Sequence, residues 1–234
     1  MSAGKSLPMP RPAVARSLVA EDLAPGLAQV DRAARRRACD ELSGLVRDGR
    51  VEEPVRRDLL AHADRRVRWG AAFAFWQAGL SGRDVALVAL EFLGEDDGDV
   101  RWAAARILEP ALAEHADVAL RMRSLAVQGL PCERKMALLC LGAASPGERT
   151  LALAALDDAD RGVRLAAITA LGRAPDAGGM ALAALRRKAH EDPDDGVRRA
   201  AAAVQSRLLA AAESGPPGLP EMVAHLADRG PTHE

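Results

Sequence analysis

The chain repeats one pattern of residues about every 33 positions. A Val-Arg pair recurs in "ADRRVRWGAAFAF", "DDGDVRWAAARIL", "DADRGVRLAAITALG" and "PDDGVRRAAAAVQSRL", which places the anchor valines at Val67, Val100, Val163 and Val197. Ala34 and Glu133 occupy the anchor position in two further copies, so successive anchors lie 33, 33, 33, 30 and 34 residues apart. Repetition at this period indicates stacked supersecondary units, because one such unit cannot bury its apolar face alone.

Positions that were not used for the alignment support the same register. The residue after the anchor is an arginine in all six copies: Arg35, Arg68, Arg101, Arg134, Arg164 and Arg198. The fourth residue after it is always alanine, and the eighth is leucine or phenylalanine except at Gln205. The third residue before it is aspartate in five copies (Asp31, Asp64, Asp97, Asp160 and Asp194), with Leu130 as the exception.

Each of these positions has a physical explanation. The aspartate precedes the apolar periodicity and can accept hydrogen bonds from the free N–H groups of the first helical turn. The anchor, the alanine at +4 and the residue at +8 share one helical face, which predicts a buried stripe. Alanine at +4 allows neighbouring helices to approach closely.

The repeated arginine suggests a ladder between copies. It would reach acidic turn residues such as Glu95, Asp158 and Asp192, and we expect arginine–aspartate hydrogen bonds from one repeat to the next. The alternative is a solvated charge at the start of a helix.

The composition favours helices throughout. Hydrophobic residues make up 49% of the chain but aromatic residues only 3%, and alanine, leucine, arginine and glutamate are good helix formers. A second apolar segment precedes the turn in five copies, as in "GRDVALVALEFLG" and "DVALRMRSLAV". Each unit is therefore predicted to be a helix, a short acidic turn and a second helix.

The pattern Asp-x-x-Val-Arg-x-x-Ala-Ala-x-x-x-Leu, clearest in "DADRGVRLAAITALG", resembles the HEAT repeat, in particular the short bacterial subgroup named after phycobilisome lyases. The resemblance covers roughly residues 18 to 212. It implies an all-α, right-handed α-solenoid of about six helical hairpins, with the second helix of each pair lining a concave surface. It does not by itself imply one activity, because the same fold serves scaffolds, adaptors, lyases, glycosylases and hydroxylases.

The two ends of the chain depart from the repeat. Residues 1–17 are Pro-rich and are expected to be disordered, without the apolar core of a signal peptide. The tail, residues 213–234, breaks the pattern with glycine and proline, and residues 220–228 could form a short capping helix. Three cysteines without a CxxC pair favour a reducing cytoplasm, and no apolar run is long enough to span a bilayer. A monomer without a membrane anchor is expected.

The aromatic residues are concentrated in the second copy. The positions at +2, +6 and +9 face away from the predicted core, towards the concave side that the resemblance implies, and in this copy they hold Trp69, Phe73 and Trp76. Trp102 occupies the +2 position of the third copy, whereas Phe75, at +8, is predicted to be core. Positively charged residues at the same positions of other copies flank the aromatic residues: Arg36, Arg106, Lys135 and Arg199. Exposed aromatic residues surrounded by charge are typical of a binding surface.

Two other interpretations of the aromatic residues remain open. The N-terminal segment could fold over the rings, or the register could be rotated by one position so that the rings belong to the core.

No motif for catalysis or for a cofactor is present. The +2 and +3 positions lack the His-Glu pairs that iron-dependent hydroxylases of the family carry there, and neither a GxSxG motif, a P-loop nor GxGxxG occurs. We therefore expect no catalytic residues, no metal and no cofactor, and a scaffold or adaptor that binds a protein or peptide. The alternatives are a bilin or tetrapyrrole lyase-like chaperone and a HEAT-like DNA glycosylase. A net charge of −1 argues against a nucleic-acid partner.

Overall fold

The computed structural model describes residues 18–142, 145–174 and 178–214, and in these residues all regular secondary structure is helical. The helices are α1 (Ala20–Leu27), α2 (Arg32–Arg47), α3 (Glu53–Leu60), α4 (Arg65–Gln77), α5 (Arg83–Leu90), α6 (Gly98–Glu114), α7 (Ala116–Gln128), α8 (Pro131–Leu141), α9 (Pro146–Ala155), α10 (Arg161–Gly172), α11 (Gly178–Glu191) and α12 (Asp195–Ser214). The all-α prediction is confirmed.

Consecutive helices pair as hairpins within two compact units, of which the first ends at Leu80 and the second begins at Ser81. In unit 1, α1 pairs with α2 and α3 with α4, and α2 packs along α4. In unit 2 the four hairpins pair α5 with α6, α7 with α8, α9 with α10 and α11 with α12. The second helices of unit 2 stack in the order α6, α8, α10, α12. The six predicted hairpins are therefore present, stacked within each unit as in an α-solenoid.

The buried stripe has the composition that the repeat predicts. The anchors Val67, Val163 and Val197 are fully buried. The same holds for five alanines at +4: Ala71, Ala104, Ala137, Ala167 and Ala201. At +8, Phe75 is 1% exposed and belongs to the core of unit 1. Alternating small and large side chains along the second helices let successive helices pack closely.

Close packing in unit 1 depends on a glycine in α4. A Cβ atom at Gly70 would lie 3.0 Å from Leu27 Cδ2 and 3.2 Å from Leu27 Cβ. The Cys39 sulfur of α2 would be 3.5 Å away. A larger residue would push α4 away from α1 and α2. Gly70 therefore sets the distance between these helices.

The aspartates three residues before the anchor begin the second helices. Their carboxylates accept hydrogen bonds from first-turn N–H groups, at 2.6 Å in Asp31, 2.8 Å in Asp64, 2.9 Å in Asp97 and 3.0 Å in both Asp160 and Asp194. In the exceptional copy the capping is reversed, since the Glu133 carboxylate accepts from the N–H of Leu130 at 2.7 Å. Each cap satisfies donors that would have no partner inside the helix.

The predicted disordered segment 1–17 lies outside the described residues, and so do the tail from residue 215 and its proposed capping helix at 220–228. Among the described helices none is long and apolar enough to cross a membrane.

Candidate aromatic face and inter-repeat contacts

Three aromatic rings form a row on α4 in unit 1. The ring of Phe73 lies between those of Trp69 and Trp76, with ring centroids 5.8 Å and 5.9 Å apart and interplanar angles of 29° and 38°. All three side chains are partly exposed, whereas their neighbour Phe75 is buried. The row therefore lies on the edge of the core and presents apolar ring surface outside it. We call Trp69, Phe73 and Trp76 the aromatic row.

A guanidinium group from the preceding hairpin covers the middle of the aromatic row. The Arg36 Cζ atom lies 5.6 Å from the centroid of the Phe73 ring, within the range of a cation–π interaction. Arg36 Nε is also 3.8 Å from the Asp40 carboxylate, but both side chains are more than half exposed. Such an ion pair contributes little to stability and can exchange for another carboxylate. Arg36 is thus held against the row with its charge accessible.

The other predicted site residues lie in unit 2. Trp102, on α6, is 54% exposed and is the most exposed aromatic side chain of the described residues. Arg106, Lys135 and Arg199 are exposed on α6, α8 and α12. The structure therefore brings Arg36, Trp69, Phe73 and Trp76 together within unit 1, and places Trp102, Arg106, Lys135 and Arg199 on the second helices of unit 2.

One residue at an outward position departs from the prediction. Ser43, at +9 of the first copy, is 2% exposed. It lines a pocket of about 540 Å³ between α2 and α4, together with Asp40, Arg47, Trp76 and Gln77. A small side chain here is buried because the neighbouring helix carries the much larger Trp76 and Gln77. The +9 position is therefore buried or exposed depending on the residues of the next helix.

A set of contacts that the repeat pattern did not predict starts at position +10. Gln77 donates to the Asp40 carboxylate through Nε2 at 3.5 Å. Arg173 donates to the Leu139 carbonyl at 3.3 Å, and Arg207 donates to the Gly172 carbonyl at 2.8 Å. Each bond links a second helix to the second helix of the preceding hairpin. A polar residue recurring at +10 in three copies was the available sequence signal.

The repeated arginines first bind the turn of their own hairpin. Each donates from Nη1 to main-chain carbonyls five or six residues earlier, as in Arg68 to His62 at 2.9 Å and to Ala63 at 3.1 Å. The carbonyl acceptors in the other copies are Gln29 and Val30, Glu95 and Asp96, Gly129, Asp158 and Ala159, and Asp192. We call this arrangement the turn clamp. It holds the turn against the first turn of the second helix.

Two of the arginines also reach the next hairpin. Arg134 makes two hydrogen bonds of 2.8 Å to the Asp158 carboxylate. Arg164 binds the Asp192 carboxylate at 3.0 Å and 3.1 Å. Both acids lie five residues before the next anchor, whereas the five predicted aspartates at −3 cap their helices. Among those, Asp194 also pairs across hairpins, with Arg161 Nε at 2.9 Å.

The two acids of these ion pairs are held in their charged form. Burial raises the pKa of Asp192, but hydrogen bonds from the Asp194 N–H and from Arg164 outweigh it, and the pKa lies below its usual value. Burial likewise raises the pKa of Asp158, and the hydrogen bonds from Arg134 and from the Asp160 N–H bring it below the usual value. Both pairs are therefore ionic at neutral pH.

No group of three or more histidine, cysteine, aspartate or glutamate side chains in the described ranges is arranged to hold a metal ion. No protein-family model matches the chain, and no curated protein matches it.

Solved structures resemble the chain at low sequence identity. An engineered protein from the Northeast Structural Genomics Consortium is 20% identical with a TM-score of 0.48, over 82% of this chain and 96% of that one. A designed armadillo repeat protein is 16% identical with a TM-score of 0.45, over 80% and 98%. The complex of CpcE and CpcF of phycocyanin lyase from Nostoc sp. PCC7120 is 18% identical with a TM-score of 0.28, over 87% and 99%. At these scores none of them bears on what this chain binds.

Proposed function

We propose that this chain is a non-enzymatic scaffold or adaptor of the HEAT type that binds a protein or peptide through outward residues of its second helices. The observation that carries the proposal is the aromatic row with Arg36 on the Phe73 ring. The chain has only three tryptophans and three phenylalanines, so three partly exposed rings on one helix are half of its aromatic residues. Tryptophan and arginine are enriched among the residues that dominate binding energy.

In this proposal the aromatic row buries against apolar side chains of the partner. Arg36 exchanges its loose contact with Asp40 for an acidic group of the partner, which sets orientation and association rate more than affinity. Residues at equivalent positions on the second helices of unit 2 would contact the partner in the same way. These are Trp102, Arg106, Lys135 and Arg199. The cytoplasmic setting belongs to the same proposal and rests on the free thiols of Cys39, Cys132 and Cys140.

The test is affinity capture from the source organism with quantitative mass spectrometry, followed by titration of the purified candidate. The variant Trp69→Ala/Phe73→Ala is expected to keep its helical circular dichroism. Its affinity for the partner is expected to fall by a factor of about 30 or more. The control is Leu120→Ala, which removes an apolar side chain that is 66% exposed on a first helix. A partner that both variants bind with unchanged affinity would contradict the proposal.

A further inference from the structure

The pocket beside the aromatic row contains two buried polar atoms with no hydrogen-bond partner among the described residues. These are the Ser43 hydroxyl oxygen and Gln77 Oε1. Ser43 is 2% exposed, and both residues line the pocket of about 540 Å³ between α2 and α4. A buried polar atom without a partner is destabilising, and most such atoms in native proteins are paired. Two of them in one pocket leave two hydrogen-bonding atoms available to a bound molecule.

The orientation of the Gln77 amide defines what it can bind. Its Nε2 donates to the Asp40 carboxylate, so Oε1 is the side that remains unpaired. The reverse orientation would place two acceptor oxygens against each other. Oε1 therefore requires a hydrogen-bond donor, while the Ser43 hydroxyl can donate to an acceptor.

The charges that line the pocket do not favour a simple ion. Asp40 and Arg47 lie seven residues apart on α2, about 10 Å along the helix axis, and their formal charges cancel. One negative and one positive side chain line the pocket, so it carries no net charge that would favour an ion of either sign. A neutral group that carries both an N–H donor and a carbonyl acceptor matches the two unpaired atoms, and a peptide group has this composition.

We propose that this pocket binds the main chain of an extended peptide segment of the partner, an inference that rests on the proposed function. A peptide N–H donates to Gln77 Oε1, and a peptide carbonyl accepts a hydrogen bond from the Ser43 hydroxyl. About three extended residues cover the distance between Asp40 and Arg47. Trp76 belongs to both the pocket and the aromatic row. The partner's side chain next to the bound peptide group would therefore contact the aromatic row.

The probe is N-acetyl-leucine-N-methylamide, which carries two peptide groups and one apolar side chain. It is titrated into the full chain labelled with ¹⁵N, and the signals of the Gln77 side-chain amide and the Trp76 indole are followed. Both signals are expected to shift. The variants Ser43→Ala and Gln77→Met are expected to weaken binding about 3- to 10-fold each. Ser206→Ala, which changes the exposed serine at the same position of the last copy, leaves it unchanged.

A second measurement separates this role from a structural one. Because the Ser43 hydroxyl has no partner within residues 18–142, 145–174 and 178–214, Ser43→Ala is expected to leave the urea midpoint of the free protein unchanged or to raise it. A lower midpoint would mean that the hydroxyl stabilises the fold, and the proposal would be wrong.

Four further ligands test the chemistry. An analogue of the probe with both amide nitrogens methylated is expected not to bind, and equal binding would overturn the proposal. Methylammonium or acetate binding in its place would assign the pocket to an ion instead. Acetamide binding as tightly as the probe would assign it to an asparagine or glutamine side chain. Absence of any shift with the probe also overturns the inference.

The outcomes distinguish this inference from the proposed function. If Trp69→Ala/Phe73→Ala loses the partner while both pocket variants keep full affinity, the adaptor function stands and the pocket does not bind the main chain. If the probe binds as described but the aromatic variant retains every captured protein, the pocket is a peptide site and the aromatic row is not its partner surface.

Discussion

The Arg164 guanidinium joins two hairpins by donating two hydrogen bonds to the Asp192 carboxylate. Asp192 lies in the turn of the following hairpin, and its side chain is completely buried. The same guanidinium donates through Nη1 to the carbonyls of Asp158 and Ala159 in its own turn. One side chain therefore closes its own hairpin and joins it to the following one. Lys188, with Nζ 3.6 Å from the Asp192 carboxylate, is the other cation at this contact.

Loss of this side chain is expected to destabilise unit 2. Arg164→Met leaves the buried carboxylate of Asp192 without its main partner, and we expect the free energy of unfolding in urea to fall by about 3 kcal/mol. The matched control is Arg187→Met, whose ion pair with Asp157 is 3.0 Å long but more than half exposed on both sides. That variant should lose less than about 1 kcal/mol. Equal losses in the two variants would contradict the role assigned to Arg164.

Acid is expected to weaken the same contacts. The pKa values of Asp158 and Asp192 are lowered in the folded protein, so their contribution to stability is complete above the unfolded pKa of about 3.9. It is lost as the pH falls through the folded values. The unfolding free energy should therefore change little from these groups between pH 8 and 5 and decline below about pH 4. Asp192→Asn should reduce that decline in urea titrations at successive pH values, and an identical slope would argue against it.

The three thiols are expected to differ in reactivity. Burial, with the charge of Asp40, raises the pKa of Cys39 to about 11, and burial, with the charge of Glu109, raises that of Cys140 to about 12. Because the thiolate is the nucleophile, both should react slowly with Ellman's reagent at pH 8. The half-exposed Cys132 should supply the fast phase, and all three should react in denaturant. The fast phase should disappear in Cys132→Ser, and its persistence there would be inconsistent with the raised pKa values of Cys39 and Cys140.

Acrylamide quenching tests which tryptophans are accessible in the free protein. In variants that retain one tryptophan and replace the other two by phenylalanine, Trp102 should be quenched most, because it is 54% exposed. Trp69 and Trp76 should be intermediate, since both are half-buried. Deletion of residues 1–17 should leave all three quenching constants unchanged. A rise for Trp69 or Trp76 after the deletion would instead mean that this segment covers the aromatic row.

The hairpins were predictable because the residues that bury them recur at fixed positions. The anchor, the alanine at +4 and the large residue at +8 depend only on helical periodicity, so they indicated the six second helices and the core position of Phe75. Helix α1 was not identified, because Pro25 lies inside it and lacks the main-chain N–H that a helix uses. The right-handed stacking remains a prediction.

The contacts of the site were less predictable, since they depend on main-chain geometry and on distances between helices. The turn clamp uses carbonyl oxygens, which every residue has, so no side-chain pattern reports it. Asp158 and Asp192, at −5, were predicted as acceptors of the repeated arginines, but the pattern did not show which copies would form an ion pair. The burial of Ser43 follows from Trp76 and Gln77 on the neighbouring helix, 33 and 34 residues along the chain.

The turn clamp also has a consequence for how such a chain changes in evolution. Each hairpin contains both the arginine and the carbonyls of its own turn clamp. Duplication or deletion of about 33 residues therefore adds or removes a complete turn clamp. Gene duplication could lengthen the array without any compensating substitution in the flanking copies, and the reach of the protein would grow by whole hairpins.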